Sequence, residues 1–547
     1  MTTPTVPAAD PPPPAPGTLD GGGPWAPLAQ PVFRALWLAT LFSNVGTWMQ
    51  TVGAQLLLVD RPNASTLVAL VQTASTLPVV LLALPAGVLA DSFDRRRMLL
   101  AVQAYMALVG IALTVLIALD RMGPSTLLLL TFALGVGTAL TAPTYQSLIP
   151  ELVPRGMLAS ASALGAVSMN LARAVGPAVA GLLITHIGTA AVFGLNALSF
   201  TVFVGVLLAW RRPPVEDVPQ RERFVPALRA GGRYVRHSPV TRRLLLRVVL
   251  FILPAVALWA LLPVVAAQQL GLGSSGYGVL LAALGIGAVL GVVVLPRIRA
   301  RISPNAVIGL STALFAVATA VLVLVDSLPV VLLALLPAGG AWVGVLSTMN
   351  ATLQLFLPGW VRARGLAVYQ ITFFGSQAAG SFAWGLAADR FGLVRTFLAA
   401  AALLALGGAS VLWWPLRRAG GGRAPAIYWQ EPQLVIDPDP DVGPVLVTST
   451  YDVPEEAEEA FLEAMVPVRR ARQRTGAYRW QLYRDGEVPH RFVEAYLVGS
   501  WEEHLRQHQG RMTESDAAAD QRARSLAVRE PEAHHLFPAL RRPRAPH

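Results

Sequence analysis

From Leu36 onward the chain alternates apolar runs with short polar breaks. The runs are about 20 residues long, enough at 1.5 Å per residue to cross a hydrocarbon layer of about 30 Å. Twelve are predicted, near 36–59, 67–90, 98–119, 125–149, 158–185, 188–210, 247–269, 276–296, 305–325, 329–354, 364–388 and 393–414. Lipid offers no partner to a bare backbone N–H or C=O, so each run is read as a helix. The longest internal break, 211–246, separates a first set of six (31–210) from a second (247–414). Residues 1–30 are rich in Pro, Gly and Ala, with no basic start and no apolar stretch, and are expected to be a disordered cytoplasmic arm. Residues 415–442 read as a Gly/Pro/Asp-rich linker, and 443–547 as a separate water-soluble domain.

That last domain shows period-two alternation instead of long apolar runs. A strand (Val445 to Tyr451), a helix opened by Pro454-Glu-Glu and running towards Arg474, two strands joined through Asp485-Gly486, and a helix from about Trp501 are predicted. This βαββα order resembles a ferredoxin-like fold of the dimeric α+β barrel kind, some of whose members are monooxygenases. His490, His504, His508, His534 and His535 show no metal-ligand spacing on one face, so pairing of two copies or regulation is preferred to catalysis.

Charge sharpens the division. Only 14% of residues are charged, and the net charge is +11. Residues 1–414 hold 25 Arg and 12 Asp or Glu, whereas the remainder holds 18 Arg and 20 acids. A basic excess between apolar runs marks cytoplasmic loops rather than a nucleic-acid surface. With the N-terminus inside, the inner loops and membrane-flanking ends hold 20 arginines, and the outer loops hold four, Arg61, Arg121, Arg390 and Arg395. Both termini are therefore expected in the cytoplasm, with the chain passing many times through the cell membrane. No cysteine is present, which excludes disulfides, thiolate catalysis and Cys-ligated metals. No metal, cofactor or nucleic acid is expected; the expected partners are the bilayer and a small molecule.

The halves look like copies. Pro150, Val153, Leu158 and Ala159 recur 208 positions later as Pro358, Val361, Leu366 and Ala367, and the pair Gly176 and Gly181 recurs as Gly380 and Gly385. Two six-helix halves around a central cavity are the architecture of alternating-access transporters.

The turn after the second run reads Gly87-Val-Leu-Ala-Asp91-Ser-Phe-Asp-Arg95-Arg96-Arg97. Gly87 lets two helices approach, Asp91 sits at a helix end, and the arginines can pair with it or with a neighbouring helix's last carbonyls. A conformational gate is preferred to a simple positive anchor, which has no need of Gly87 or Asp91. A second copy at Gly291, Arg297, Arg299 and Arg301 lacks the acid. The motif resembles that of the major facilitator superfamily, with Asp94 in place of the motif's second glycine.

In the fifth run, Asn170-Leu-Ala-Arg173-Ala-Val-Gly176-Pro177-Ala-Val-Ala-Gly181 is similar to that superfamily's antiporter signature, with alanine for several of its glycines. Small residues allow close packing and Pro177 permits a bend; the resemblance implies efflux. Arg173 is the one ionisable residue deep in a run. An arginine there is costly unless it faces a wet cavity or a partner, so a cavity-facing role is weighed above neutralisation by Asn170 and helix carbonyls. Asn44, Trp48, Gln50 and Gln55, Thr141 and Tyr145, Trp259, Asn350, and Gln370 and Gln377 are further candidates for the cavity wall, each equally able to serve as an interhelical hydrogen bond. Carboxylates occur only at run ends, so no proton carrier is visible, and a lone buried cation suits an acidic or phenolic substrate.

Taken with Ala142-Pro143-Thr-Tyr-Gln146 and the Ser43-to-Gln50 stretch, these motifs resemble the enterobactin-exporter-like, or transmembrane secretion effector, branch. The expected fold is an all-α membrane protein of twelve transmembrane helices with a small α+β cytoplasmic domain. The expected function is secondary active export of a small secondary metabolite or drug, and not enzyme catalysis. The resemblance implies antiport with protons, and the tail is a candidate for self-association. The rivals are uptake, and a membrane scaffold for a sensor or monooxygenase-like tail.

Overall fold

The computed structural model describes residue 23 and residues 25–210, 224–416 and 434–539. Most of the expected N-terminal arm and of the linker, and residues 211–223 of the central loop, lie outside the described residues. Six long helices come first: α1 (Pro31–Leu56), α2 (Ala64–Ser92), α3 (Arg95–Ala118), α4 (Pro124–Leu152), α5 (Leu158–His186) and α6 (Thr189–Ala209). After α7 (Phe224–His237) come six more: α8 (Pro239–Gln268), α9 (Ser274–Arg299), α10 (Pro304–Leu324), α11 (Leu328–Phe356), α12 (Gly359–Phe391) and α13 (Leu393–Trp413). Each of these twelve coincides with one predicted run. Ten among the described residues are long and apolar enough to cross a membrane. The other two, α1 and α12, carry the polar side chains Asn44, Gln50 and Gln55, and Arg362, Arg364, Gln370 and Gln377.

Local chemistry sets the helix starts. The Asp94 side chain accepts from Arg97 N at 2.8 Å to open α3, and Ser303 accepts from Ala306 N at 3.2 Å to open α10. Proline occupies the first turn of α1, α4 and α10. Two glycines at positive φ, Gly188 (105°) and Gly392 (83°), turn α5 into α6 and α12 into α13. They share the spacing that relates Gly176 to Gly380, so the repeat read from the motifs extends to backbone conformation.

The chain divides into two compact units, Met1–Pro214 with Ala266–Ile286, and Val215–Val265 with Gly287–His547. In the first, α1 packs on α5 and α6, α2 on α4, and α3 on α4 and α6, around Leu36, Leu99, Leu148 and Phe203. In the second, α10 packs on α11 and α13 as α3 does on α4 and α6. Its centre is aromatic: Trp342 lies 5.4 to 5.8 Å, between ring centroids, from Trp259, Phe251 and Phe315.

The second unit also holds the C-terminal α+β segment, made of β1 (Val445–Asp452), α14 (Glu458–Thr475), β2 (Arg479–Arg484), β3 (Arg491–Val498), α15 (Trp501–Arg506), α16 (Glu514–Arg524) and β4 (Glu532–Leu536). All pairings are antiparallel, in the order β2-β3-β1-β4. The last strand is absent from the sequence expectation, since its five residues are mostly exposed and lack apolar alternation. Tyr451, Phe461, Met465 and Phe492 form the core. Beside it, buried Glu494 accepts from Trp480 Nε1 at 2.7 Å, Arg472 Nε at 3.3 Å and Tyr451 Oη at 3.3 Å, and Arg472 also reaches Asp520 at 2.8 Å. A buried ion pair is tolerable only with its hydrogen bonds met in this way.

Part of the expected central loop is structured. α7 packs on α14 and α12, Arg233 pairs with Glu503, and the Tyr234 ring meets Trp360 edge-on at 5.7 Å. The guanidinium of Arg511 lies 4.9 Å from the Trp360 ring centroid, and that of Arg474 lies 5.7 Å from Tyr234.

Candidate functional site

Four helices of the first unit turn polar stripes towards one cavity. On α1, Thr47, Gln50, Thr51 and Ala54 fall at the i, i+3, i+4, i+7 spacing that shares a helix face, and on α4 Thr131, Leu134, Gly135 and Thr138 do the same. Gln72 and Ser75 come from α2, Asn196 and Phe200 from α6, and Met106 and Met169 complete the wall. The space measures about 160 Å³, below the roughly 300 Å³ at which pockets for drug-sized ligands begin. It suits one polar end of a substrate, and its wall offers amides, hydroxyls, thioethers and Trp48 rather than formal charge.

The wall is set by hydrogen bonds. Buried Asn196 donates through Nδ2 to Gln50 Oε1, which fixes both amides. Gly46 makes room for this pair, since a Cβ there would lie 2.4 Å from Asn196 Oδ1. Trp48 is held from behind. A Cβ on Gly176 would lie 2.7 Å from Trp48 Cβ, so only glycine lets α5 approach α1 so closely. Arg173, three residues earlier and midway along α5, places its guanidinium carbon 5.4 Å from the Trp48 ring centroid. Its Nε is buried without a hydrogen-bond partner. The cation thus lies against the aromatic wall of the cavity, a cation–π geometry.

The other candidates fall elsewhere. Asn44 donates to Ser168 Oγ at 3.1 Å, and Gln55 accepts from the Tyr277 hydroxyl at 2.7 Å, both bonds between helices. Thr141 accepts from Gln103 at 3.2 Å. Tyr145 packs with Phe203, its ring 6.5 Å away, in the apolar core. Asn170 donates to Ala166 O of its own helix, Trp259 belongs to the aromatic cluster of the second unit, and Asn350 accepts from Gln354 one turn on. Gln370 is exposed and Gln377 half-buried. Gln72, Ser75, Thr131, Thr138 and Asn196 line the cavity without having been singled out. Their signal was present as lone polar residues at helical spacing within apolar runs.

At the α2–α3 turn, Arg95 Nη1 donates to Ser147 O at 3.0 Å and pairs with Glu151 near the end of α4. Arg96 donates to the terminal carbonyls Leu207 O (2.9 Å) and Leu208 O (3.2 Å) of α6, and Arg97 contributes its backbone N–H to the Asp94 cap. The surroundings of Gly87 and of the Asp91 side chain lie outside what the structure describes. In the second copy, Arg299 donates to Ser347 Oγ at 2.7 Å and Thr348 Oγ1 at 2.8 Å, so hydroxyls stand where Arg95 has a carboxylate. The Gly176–Gly181 stripe also meets the first half of α9, where a Cβ at Gly278 would lie 3.4 Å from Pro177 O, and one at Gly285 2.9 Å from Ala174 Cα.

In the α+β segment the fold gathers His508, His504 and His535 in a row, with ring centroids 4.9 Å apart and Trp501 5.3 Å from His504. Burial, with repulsion from His535 and Arg472, pushes His504 down to about 3; burial, with repulsion from His504 and Arg472, pushes His508 down to about 2. No group of three metal-capable side chains is disposed to hold an ion among the described residues.

A family model described as transmembrane secretion effector matches residues 22–542. The staphyloferrin A transporter of Staphylococcus aureus (strain NCTC 8325 / PS 47) is 24% identical over 357 residues, 64% of this chain and 88% of that protein. The enterobactin exporter EntS of Shigella boydii serotype 4 (strain Sb227) is 28% identical over 292 residues, 52% and 67% of the two chains. Among solved structures, the nucleoside transporter NupG superposes with a TM-score of 0.57 at 12% identity, over 70% of this chain and 99% of its own. A bacterial homolog of the human lysosomal transporter Spinster, inward-facing and unoccupied, gives 0.55 at 15%, over 69% and 95%. At such identities the solved structures speak for the fold alone.

Proposed function

The chain belongs to the transmembrane secretion effector family and is a membrane transporter of the major facilitator type, not an enzyme, and from this premise we propose that it exports a small siderophore-class metabolite by alternating access. The observation that carries this reading is the cavity walled by Trp48, Gln50 and Asn196, with Arg173 against Trp48. Amides and hydroxyls can exchange hydrogen bonds with an oxygen-rich ligand, and the cation strengthens the wall's preference for anionic or phenolic groups. The names of two relatives, which specify staphyloferrin A and enterobactin, point to the same class.

The twelve long helices serve as twelve spans in two sets of six, with both termini in the cytoplasm. The arginine distribution and the Gly188/Gly392 repeat support this. Arg95, Arg96 and Arg97, with Gly87 and Asp91, form the gate; the pairing of Arg95 with Glu151 and of Arg96 with the end of α6 belongs to one of its two states. Asn44, Asn170, Tyr145, Asn350, Gln370 and Gln377 remain proposed contributors in the state that brings the halves around substrate. The order β2-β3-β1-β4 supports a ferredoxin-like tail that regulates transport or pairs with a second copy. Proton antiport is the family's coupling, and no residue is assigned to it.

The test uses vesicles containing the full chain and a labelled catecholate or hydroxycarboxylate siderophore. Inverted vesicles should accumulate it and right-side-out vesicles should not. Arg173→Gln and Arg173→Ala should each lower the rate at least tenfold at unchanged expression. Wild-type rates in both variants, or accumulation only in right-side-out vesicles, would contradict the proposal.

A further inference from the structure

The α8 helix is 30 residues long, about 45 Å against a hydrocarbon layer of about 30 Å. The surplus falls on its first turns, which carry Arg242, Arg243 and Arg247. Beside them α13 ends in Trp413 and Trp414, 76% and 57% exposed. Tryptophan gathers at the membrane–water boundary, so both helix ends belong at headgroup level.

Between these ends lies a cleft of about 550 Å³ whose wall includes the three arginines, Leu246, Leu250 and Trp414. It shares no residue with the Trp48 cavity. Arg247 is committed to structure: it donates to Ser410 O at 3.2 Å, to Ser410 Oγ at 3.4 Å and to Trp414 O, tying down the last turn of α13. These partners are neutral, so its charge persists. Arg242 is exposed and Arg243 half-buried, and among the described residues no carboxylate lines the cleft. The surrounding field is positive as well. Next to the cleft, burial and repulsion from Arg236, Arg469, Arg233 and Arg242 hold His237 below the usual imidazole range.

We infer that this cleft binds the phosphodiester headgroup of an anionic phospholipid, with Arg242 and Arg243 on the phosphate and the acyl chains along Leu246, Leu250 and Trp414. Basic pockets between membrane helices are suited to such headgroups, and guanidinium groups match phosphate oxygens in pairs. A soluble phosphate would use the arginines but gain nothing from the apolar wall, which is why the lipid is the assigned source. The site does not depend on the direction of transport or on its cargo.

Native mass spectrometry of the full chain in detergent tests this with phosphatidylglycerol, phosphatidylcholine of the same acyl chains, and inorganic phosphate. Wild type should retain phosphatidylglycerol over phosphatidylcholine, and excess inorganic phosphate should not displace it. The double variant Arg242→Gln/Arg243→Gln, which leaves Arg247 in place, should retain it about tenfold less. The double variant Arg390→Gln/Arg395→Gln, on other helix ends, should match wild type. Equal retention of the two lipids, undiminished retention by the first variant, an equal loss in the second, or displacement by inorganic phosphate would each overturn the assignment.

Discussion

Arg173 and Trp48 show how one residue's cost becomes another's function. A guanidinium midway along a membrane helix is costly, and stacking on an aromatic face recovers only about 0.5–2 kcal/mol. Gly46 gives a separate prediction: Gly46→Ala puts a methyl group against Asn196 Oδ1, parts the Gln50–Asn196 pair, and should cost about 1–3 kcal/mol. Thermal unfolding in detergent should show it; an unchanged melting temperature would mean that the amide pair does not depend on the glycine. In the tail, His504 and His508 are neutral when folded, near 3 and 2, while the unfolded chain binds protons near 6.5. Between those values the unfolded state holds more protons, so tail stability is intact above about pH 6.5 and falls on acidification towards pH 3. Hydrogen exchange of the strand and helix peptides within 445–524 of the full chain should accelerate over that window, and His504→Phe with His508→Leu should flatten the response. A profile identical to wild type would sink this claim.

The helices themselves were legible because each apolar run is long and interrupted by proline, glycine or charge, and both breaks at Gly188 and Gly392 fall where they were expected. β4 was not legible, since its place comes from pairing with β1 and not from its own pattern. Nor was the role of α7, whose sequence has charge and apolar residues at helical spacing but no indication of a partner. Its partners come from far along the chain: Glu503, Arg474 and Trp360. Trp360 meets the Tyr234 ring edge-on and lies against the Arg511 guanidinium, two contacts of roughly 1 kcal/mol each. Trp360→Ala should therefore raise the opening of the 501–511 segment about five- to thirty-fold in hydrogen exchange. Protection equal to wild type would show that the tail is held by other contacts.

For the whole molecule, composition was enough to mark a chain with many apolar helices as a membrane protein, but not to find the cavity. Trp48 and Gln50 were visible as polar exceptions in α1, whereas Gln72, Ser75, Thr131 and Thr138 looked like ordinary spacers until α1, α2 and α4 were brought together. Asn44 and Gln55 looked equally suitable, and in this structure each makes a hydrogen bond to a neighbouring helix. Sequence spacing identifies which residues share a helix face; which neighbour that face meets is decided by packing. The absence of native cysteine permits a direct test of the central claim that substrate enters this cavity. Ser75→Cys places a single thiol on the wall, and its modification rate in vesicles can be measured with and without saturating substrate. The account predicts a labelled protein that still transports and a rate reduced about tenfold by substrate; a rate that substrate leaves unchanged would contradict it.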